Sequence, residues 1–430
     1  MDQSEQRQVR RRRVFYIPGY DPIHPRRYRE LYRTESAAQA QVSGHDIAIR
    51  PRRGADSYGW HVEATIEDAP VSAEIEVLVW SDIVRGSMST SIPATYWQLI
   101  RTAWTYIASG ALRRLMWLRK GPVIAALYPV AMLLLQLLVA VLAGYAAARL
   151  LGWGIVGLGQ GGLDLLAIDR RFYEVPLLTG LRSAAMWMLA LVLIWRILSW
   201  FRAKDGKVFA WYLMHDYAYS ARWGGAYPPA LEERMTQFRD RIAAALREDL
   251  DEVLVVGHSS GAHLGVSILA DLIRAGQGPA KGPALSFLSL GQVVPMVSFL
   301  PRADRLRADL HYLSIRDELT WVDVTAPGDG CAFALCDPVA VSGVAPEGQK
   351  HPLVISAAFT QTLSPERWKD LRWRFFRLHF QYLCAFDRPG TYDYFRITAG
   401  PRTLADRFAG RAPSKSRIDV AASKYTSMAA

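Results

Sequence analysis

The chain contains no asparagine at all, and only three cysteines, Cys331, Cys336 and Cys384, in 430 residues. Without asparagine there is no acceptor for N-glycosylation. An odd cysteine count without C-x-x-C spacing argues against a disulfide framework and against a zinc site, and so for a reducing compartment. Acidic residues are outnumbered, 40 Asp and Glu against 51 Lys and Arg, giving a formal charge of +11. That excess is uneven: Arg10, Arg11, Arg12 and Arg13 form one block, and further basic residues flank the two most apolar stretches. No zinc-ligand cluster, RNP-like sequence or basic zipper accompanies it, so nucleic acid is not the expected partner and an anionic membrane surface is. No internal repeat is present. A cleaved secretion signal is not expected either, because the apolar run Val14 to Ile17 is short and meets Pro18-Gly19 at once.

What the chain does have is long apolar sequence. Residues 121–148, GPVIAALYPVAMLLLQLLVAVLAGYAAA, carry no charge over 28 positions, more than the ~20 that cross a hydrocarbon core. The second stretch, 183–195, has 13 uncharged residues between Arg182 and Arg196. Extended to 181–201, with its end arginines reaching the interfaces, it reads as a second span, and a buried core helix is the alternative. Arg113, Arg114, Arg119 and Lys120 precede the first span, and Arg202, Lys204 and Lys207 follow the second. The positive-inside rule then puts both ends in the cytoplasm, although Arg149, Arg170 and Arg171 in the connector weaken the bias. Residues 95–120 read as a helix carrying Trp97, Trp104, Tyr106 and Trp117 among basic residues. It suits either the headgroup layer or packing on a soluble domain. The connector sequence GLGQGG fits G-x-G-x-x-G, but an apolar helix rather than a strand precedes it, so it is read as a flexible turn.

Outside this hairpin, strand and helix patterns alternate. Strands are expected at Val14–Ile17, Glu74–Trp80, Glu252–Val256, and within ALSFLSLG, TWVDVTA and WRFFRLH. Helices are expected over 231–246, 262–275, 301–313 and 365–371. Such alternation predicts an α/β fold with a mostly parallel sheet covered by helices. Residues 252–265, EVLVVGHSSGAHLG, join a strand to a helix through Gly257-His258-Ser259-Ser260-Gly261. This is the G-x-S-x-G form of a nucleophile elbow, in which a sharp turn lifts the serine hydroxyl above the sheet. A serine hydroxyl needs a histidine to take its proton and a carboxylate to orient that histidine. Acid and histidine candidates follow in the order Ser, Asp, His.

On VVGHSSGAHLG, VFYIPGYDP and that order of residues, the chain resembles the α/β-hydrolase superfamily over about 14–90 and 205–400. The resemblance implies Ser259 as nucleophile and the Ser260 N–H as one oxyanion donor. The second donor would come from Gly19 or Tyr20, where PGY replaces the superfamily's usual His-Gly pair. It also implies a carboxylate after the strand TWVDVTA, which is Asp329 in APGDG, with Asp317, Asp323 and Asp337 as alternatives. His379 is the expected base, and His351 is the alternative. His258 and His263 are expected to pack and shape the pocket. They are five residues apart with no Glu between them, so they do not form an H-E-x-x-H metal motif.

The expected organisation is an N-terminal part of a hydrolase domain (1–94), an interfacial amphipathic helix (95–120), a transmembrane hairpin (121–204), a C-terminal part carrying the catalytic residues (205–400) and a polar, disordered tail (401–430). The expected function is a serine hydrolase of the inner (cytoplasmic) membrane, facing the cytoplasm. It would cleave a carboxylic ester or thioester of a lipid or other acyl-chain substrate, with the lipid bilayer as partner and no metal or cofactor. The alternative is an inactive membrane-anchored binding or scaffold protein on the same fold.

Overall fold

The computed structural model describes residues 8–52, 57–88, 91–166, 176–279 and 282–429. Eight strands, β1 (Arg11–Ile17), β2 (Asp46–Pro51), β3 (Gly59–Ile66), β4 (Ala69–Val77), β5 (Glu252–His258), β6 (Ala284–Leu290), β7 (Leu319–Thr325) and β8 (Leu353–Ser356), form one sheet. Their order is β2-β3-β4-β1-β5-β6-β7-β8. From β4 to β8 neighbouring strands run parallel, whereas β3 is antiparallel to both β2 and β4. The fold is α/β, but the sheet is mixed, which corrects the expectation of a mostly parallel one. The cause is local: only Glu67 and Asp68, both at positive φ, separate β3 from β4, and a two-residue turn can join only antiparallel strands.

Strand β1 lies between β4 and β5, so sequence from before and after the apolar helices pairs directly, with Phe15 opposite Val255. At the start of these strands Arg12 and Glu252, both fully buried, form an ion pair of 2.6 Å. Their remaining groups are satisfied. Arg12 donates to the Gly400 and Arg402 carbonyls, and Glu252 accepts from Ser286 Oγ and the Leu404 amide. A buried pair survives desolvation only when its other lone pairs and protons are occupied in this way. Every residue of β5 is buried, as expected for a central strand covered on both faces. The helix Ser260–Arg274 lies close to the sheet because Gly265 has no side chain; a Cβ there would stand 2.6 Å from the Phe287 ring.

Several expectations are corrected. WRFFRLH is not a strand: Phe375–His379 is a short helix, and Arg372 to Phe375 ahead of it and within it are exposed, so no sheet neighbour is available to them. The last strand of the sheet is β8. Residues 95–120 divide at Gly110, φ +75, into helices Ile92–Ala108 and Ala111–Leu118. GLGQGG is not a turn but lies inside the helix Lys120–Leu165, and Arg170 and Arg171 of the connector lie outside the described residues. The tail, expected to be disordered, is tied down. Ser414 N donates to Val354 O, Ile418 N to Leu335 O, and Asp337 N to Ile418 O, at 2.8–2.9 Å, and buried Arg307 donates to Ser427 O at 2.7 Å. All but the last are bonds between backbone groups, and every one falls on a backbone carbonyl or amide of the tail, which a reading of side-chain composition does not register.

The chain forms two compact units. One comprises Met1–Met88, Arg101–Ala125 and Ala218–Ala430, and holds the whole sheet; the other comprises Ser89–Ile100 and Ala126–Tyr217. In the second unit the helices Lys120–Leu165 and Pro176–Ala203 pack through small residues. A Cβ at Gly144 would meet Ile194, and one at Gly152 would meet the Met186 sulfur. Gln136, the buried polar residue of the first helix, accepts from the Trp211 indole at 3.0 Å. Segments of 43 and 25 residues within these helices are long and apolar enough to cross a membrane by length and composition.

Candidate active site

The site is assembled at the C-terminal ends of the parallel strands, where open α/β sheets place their ligands. Beyond β5, Ser259 has φ 57 and ψ −120, a conformation that only glycine adopts without cost, and the helix Ser260–Arg274 begins at the next residue. Such a backbone costs on the order of 1–3 kcal/mol and persists only when its surroundings enforce it. Here the glycines do so. A Cβ at Gly261 would overlap the Ile17 carbonyl oxygen, and one at Gly257 would stand 2.6 Å from the Gly261 oxygen. The Ser259 amide is fixed on Leu290 O of β6 at 2.9 Å. Ser259 itself is half-buried.

Asp329 follows β7 in the loop APGDG and is buried. His379, also buried, closes the helix Phe375–His379. His379 Nδ1 and Asp329 Oδ2 are 2.8 Å apart. The carboxylate can only accept there, so Nδ1 carries the proton, and in the neutral tautomer Nε2 holds the free lone pair. Asp329 Oδ2 also accepts from Tyr382 Oη at 3.0 Å, and Oδ1 from the Cys331 amide at 2.9 Å. Burial acts to raise the Asp329 carboxyl, but His379 and these donors outweigh it and hold the group below the ordinary carboxylate value.

His258 connects β5 to His379. Its ring lies 4.8 Å from that of His379, and its Nε2 donates to the His379 carbonyl at 3.0 Å. Burial, reinforced by the neighbouring His379, pushes it down to about 3, so it remains a neutral donor. Across the ring, Gly291 (φ +53) leaves room for His379: a Cβ there would be 3.1 Å from His379 Cε1 and 2.7 Å from the Tyr382 ring. His379 is thus held from two sides, next to the residue before Ser259. Among the described residues the Ser259 hydroxyl and His379 Nε2 make no hydrogen bond, so the link between them is open.

The other carboxylates and histidines weighed from sequence are engaged elsewhere. Asp317 is an exposed partner of Lys350 at 2.7 Å. Asp337 caps the short helix Pro338–Val341. Asp323 is buried inside β7 and accepts from Ser289. His351 contacts the Trp321 amide. His263 stacks on Tyr227 and shares a 3.2 Å hydrogen bond with its hydroxyl. Gly19 lies against Ser259, since a Cβ there would be 3.0 Å from Ser259 Cβ and 3.4 Å from Oγ. The Tyr20 side chain points elsewhere, to Ser87 Oγ at 2.7 Å. Ser260 opens its helix, and the first N–H groups of a helix have no acceptor within it.

Tyr382, Gly291 and the anchoring role of His258 were not signalled by any sequence motif. Nor was the position of Cys331, whose sulfur, an Asp329 oxygen and a His379 nitrogen all lie within 4.8 Å of one another. No protein-family model, curated protein or solved structure matches the chain.

Proposed function

We propose that this chain is a membrane-anchored serine hydrolase of the α/β-hydrolase type, with Ser259 as nucleophile, His379 as base and then acid, and Asp329 behind it. The observation that carries the reading is the strained Ser259 at the end of β5, with the hydrogen-bonded Asp329–His379 pair packed against His258 beside it. Strain of this kind is retained where function requires it.

In the reaction Ser259 Oγ adds to an ester or thioester carbonyl carbon while His379 Nε2 takes its proton. The imidazolium is stabilised by Asp329, and the oxyanion is received by the amides of Ser260 and of Gly19 or Tyr20. The carbon–oxygen or carbon–sulfur bond to the leaving group then breaks, and His379 returns the proton to the departing atom. Water, deprotonated by the same nitrogen, cleaves the acyl-enzyme and restores Ser259. No step needs a metal or an organic cofactor.

The apolar helices anchor the domain in the inner (cytoplasmic) membrane, and the basic residues on their flanks, Arg113, Arg114, Arg119 and Lys120 before and Arg202 and Lys204 after, keep it on the cytoplasmic side. Trp104 and Trp117, 72% and 69% exposed, suit the headgroup layer. Together these favour a lipid or acyl-chain ester as substrate. The open Ser259–His379 link favours the second reading, a binding protein without turnover. Hydrogen bonds of this kind tighten when substrate binds, and labelling with a fluorophosphonate probe separates the two. Labelling of the wild type, its absence in Ser259→Ala, and a loss of several powers of ten in kcat for ester hydrolysis in that variant are expected. An unlabelled wild type sinks the enzyme reading.

A further inference from the structure

We propose that Asp329, Cys331 and His379 form a three-ligand site for a thiophilic divalent cation of the zinc type, and that its occupancy switches off the base. The switching half rests on the hydrolase reading above; the metal site does not. One carboxylate oxygen, one sulfur and one imidazole nitrogen lie within 4.8 Å of one another. Ligands ~2.0–2.3 Å from a tetrahedral zinc stand about 3.5 Å apart, so a shift of roughly an ångström brings the set into coordination. Cys331 can supply its own part of that shift, while Asp329 and His379, hydrogen-bonded at 2.8 Å, must separate to admit the ion through Nδ1. Cys331 is half-buried while Asp329 and His379 are buried, and it is in no disulfide.

The donor set selects the ion. A thiolate with an imidazole and one carboxylate favours zinc over magnesium or calcium, which take oxygen ligands. Three protein ligands also leave a fourth position for water. The surrounding contacts that orient metal ligands are in place: the Tyr382 hydroxyl and the Cys331 amide on Asp329, and His258 Nε2 on the carbonyl of His379. On binding, the Cys331 thiol releases its proton to water and the sulfur takes up the metal.

Either nitrogen of His379 gives the same outcome. If Nε2 ligates, the lone pair that would accept the Ser259 proton is occupied. If Nδ1 ligates, the neutral ring must carry its proton on Nε2, and that nitrogen can no longer accept one. The base is lost in both cases.

The test uses the full chain in detergent, with zinc chloride as probe and magnesium chloride as control, and reads bound metal by equilibrium dialysis. About one zinc per chain and no magnesium are expected. Cys331→Ala should weaken zinc binding by more than ~100-fold, beyond the ~10–100-fold cost of removing an outer partner. Cys331→Ser, which keeps the side-chain size, guards against misfolding of the alanine variant. Cobalt in place of zinc should give a thiolate-to-metal absorption band that is absent from both variants. Zinc bound equally by the wild type and both variants overturns the site. Zinc bound through Cys331 with Ser259 still labelled at its metal-free rate by a fluorophosphonate overturns the switch. Zinc bound through Cys331 in a chain that never labels leaves the site standing and removes the hydrolase reading instead.

Discussion

His379 and Asp329, fifty residues apart in the chain, meet through a 2.8 Å hydrogen bond between Nδ1 and Oδ2, and the Tyr382 hydroxyl binds the same oxygen at 3.0 Å. The carboxylate therefore sets both the tautomer of the imidazole and its direction. Asp329→Asn keeps the shape but offers an amide, so kcat should fall by about three to four powers of ten. Tyr382→Phe removes one of the donors to Oδ2 and also leaves the Ala326 amide without its acceptor, so a loss of about tenfold is expected. Steady-state kinetics on one ester substrate check both. Equal losses in the two variants would mean that Asp329 acts only as one more structural acceptor.

Gly291 tests positioning. A methyl group there meets the Tyr382 and His379 rings on a backbone already at φ +53. Gly291→Ala should lower kcat by ~10–100-fold through displacement of the base, with KM little changed. A rise in KM at unchanged kcat would place Gly291 in substrate binding instead.

Asp323 supplies a pH dependence that is independent of catalysis. Burial pushes its carboxyl up to about 8, against the hydrogen bond from Ser289 and with a smaller contribution from Asp337. Its Oδ2 has no hydrogen-bond partner among the described residues. The folded chain keeps this proton where the unfolded chain, with an ordinary pKa near ~3.9, has released it. Stability of the wild type therefore falls as pH rises from about 4 to about 8 and levels off above that. Asp323→Asn is neutral throughout, so its advantage in thermal unfolding should grow over this window to a few kcal/mol. A gap that does not change with pH would show that Asp323 ionises normally.

The pairing of β1 with β5 makes a demand on membrane topology. Arg12 opposes Glu252 and Ile17 opposes Gly257, so the sequence before and after the apolar helices must reside in one compartment. A reporter fused after Ala430 and another inserted near Gln160 are expected on opposite sides of the membrane. Both on one side would mean either that neither helix spans or that only the first does, and the second case would put β1 and β5 in different compartments and overturn the architecture.

The strand and elbow around Ser259 were readable because their signal is contiguous: an apolar run, a glycine-framed serine and a helix pattern follow one another. Asp329 could be placed because it directly follows a recognisable strand. His379 was reached from chain order, through a strand that is in fact the helix Phe375–His379. Three strands were missed, β2 and β8 at the two edges and β3 beside β2, because polar residues alternating through β2 and β3, and the four-residue length of β8, resemble loop sequence. Tyr382, Gly291 and Cys331 could not be read at all. Each acquires its role from a neighbour dozens of residues away, and no local spacing records that.

The same β1·β5 pairing also sets an order of events during synthesis. Arg12 must wait for Glu252, 240 residues later, and at ~5–20 residues per second this takes on the order of ten to fifty seconds. Throughout that interval the ribosome delivers both apolar helices while β4 and β1 present an unfilled edge. Both apolar helices thus leave the ribosome before the sheet can close, and the waiting half must be kept from pairing with another nascent chain. A chain slowed or stalled between residues 204 and 252 would be the one most exposed to aggregation and to proteolysis.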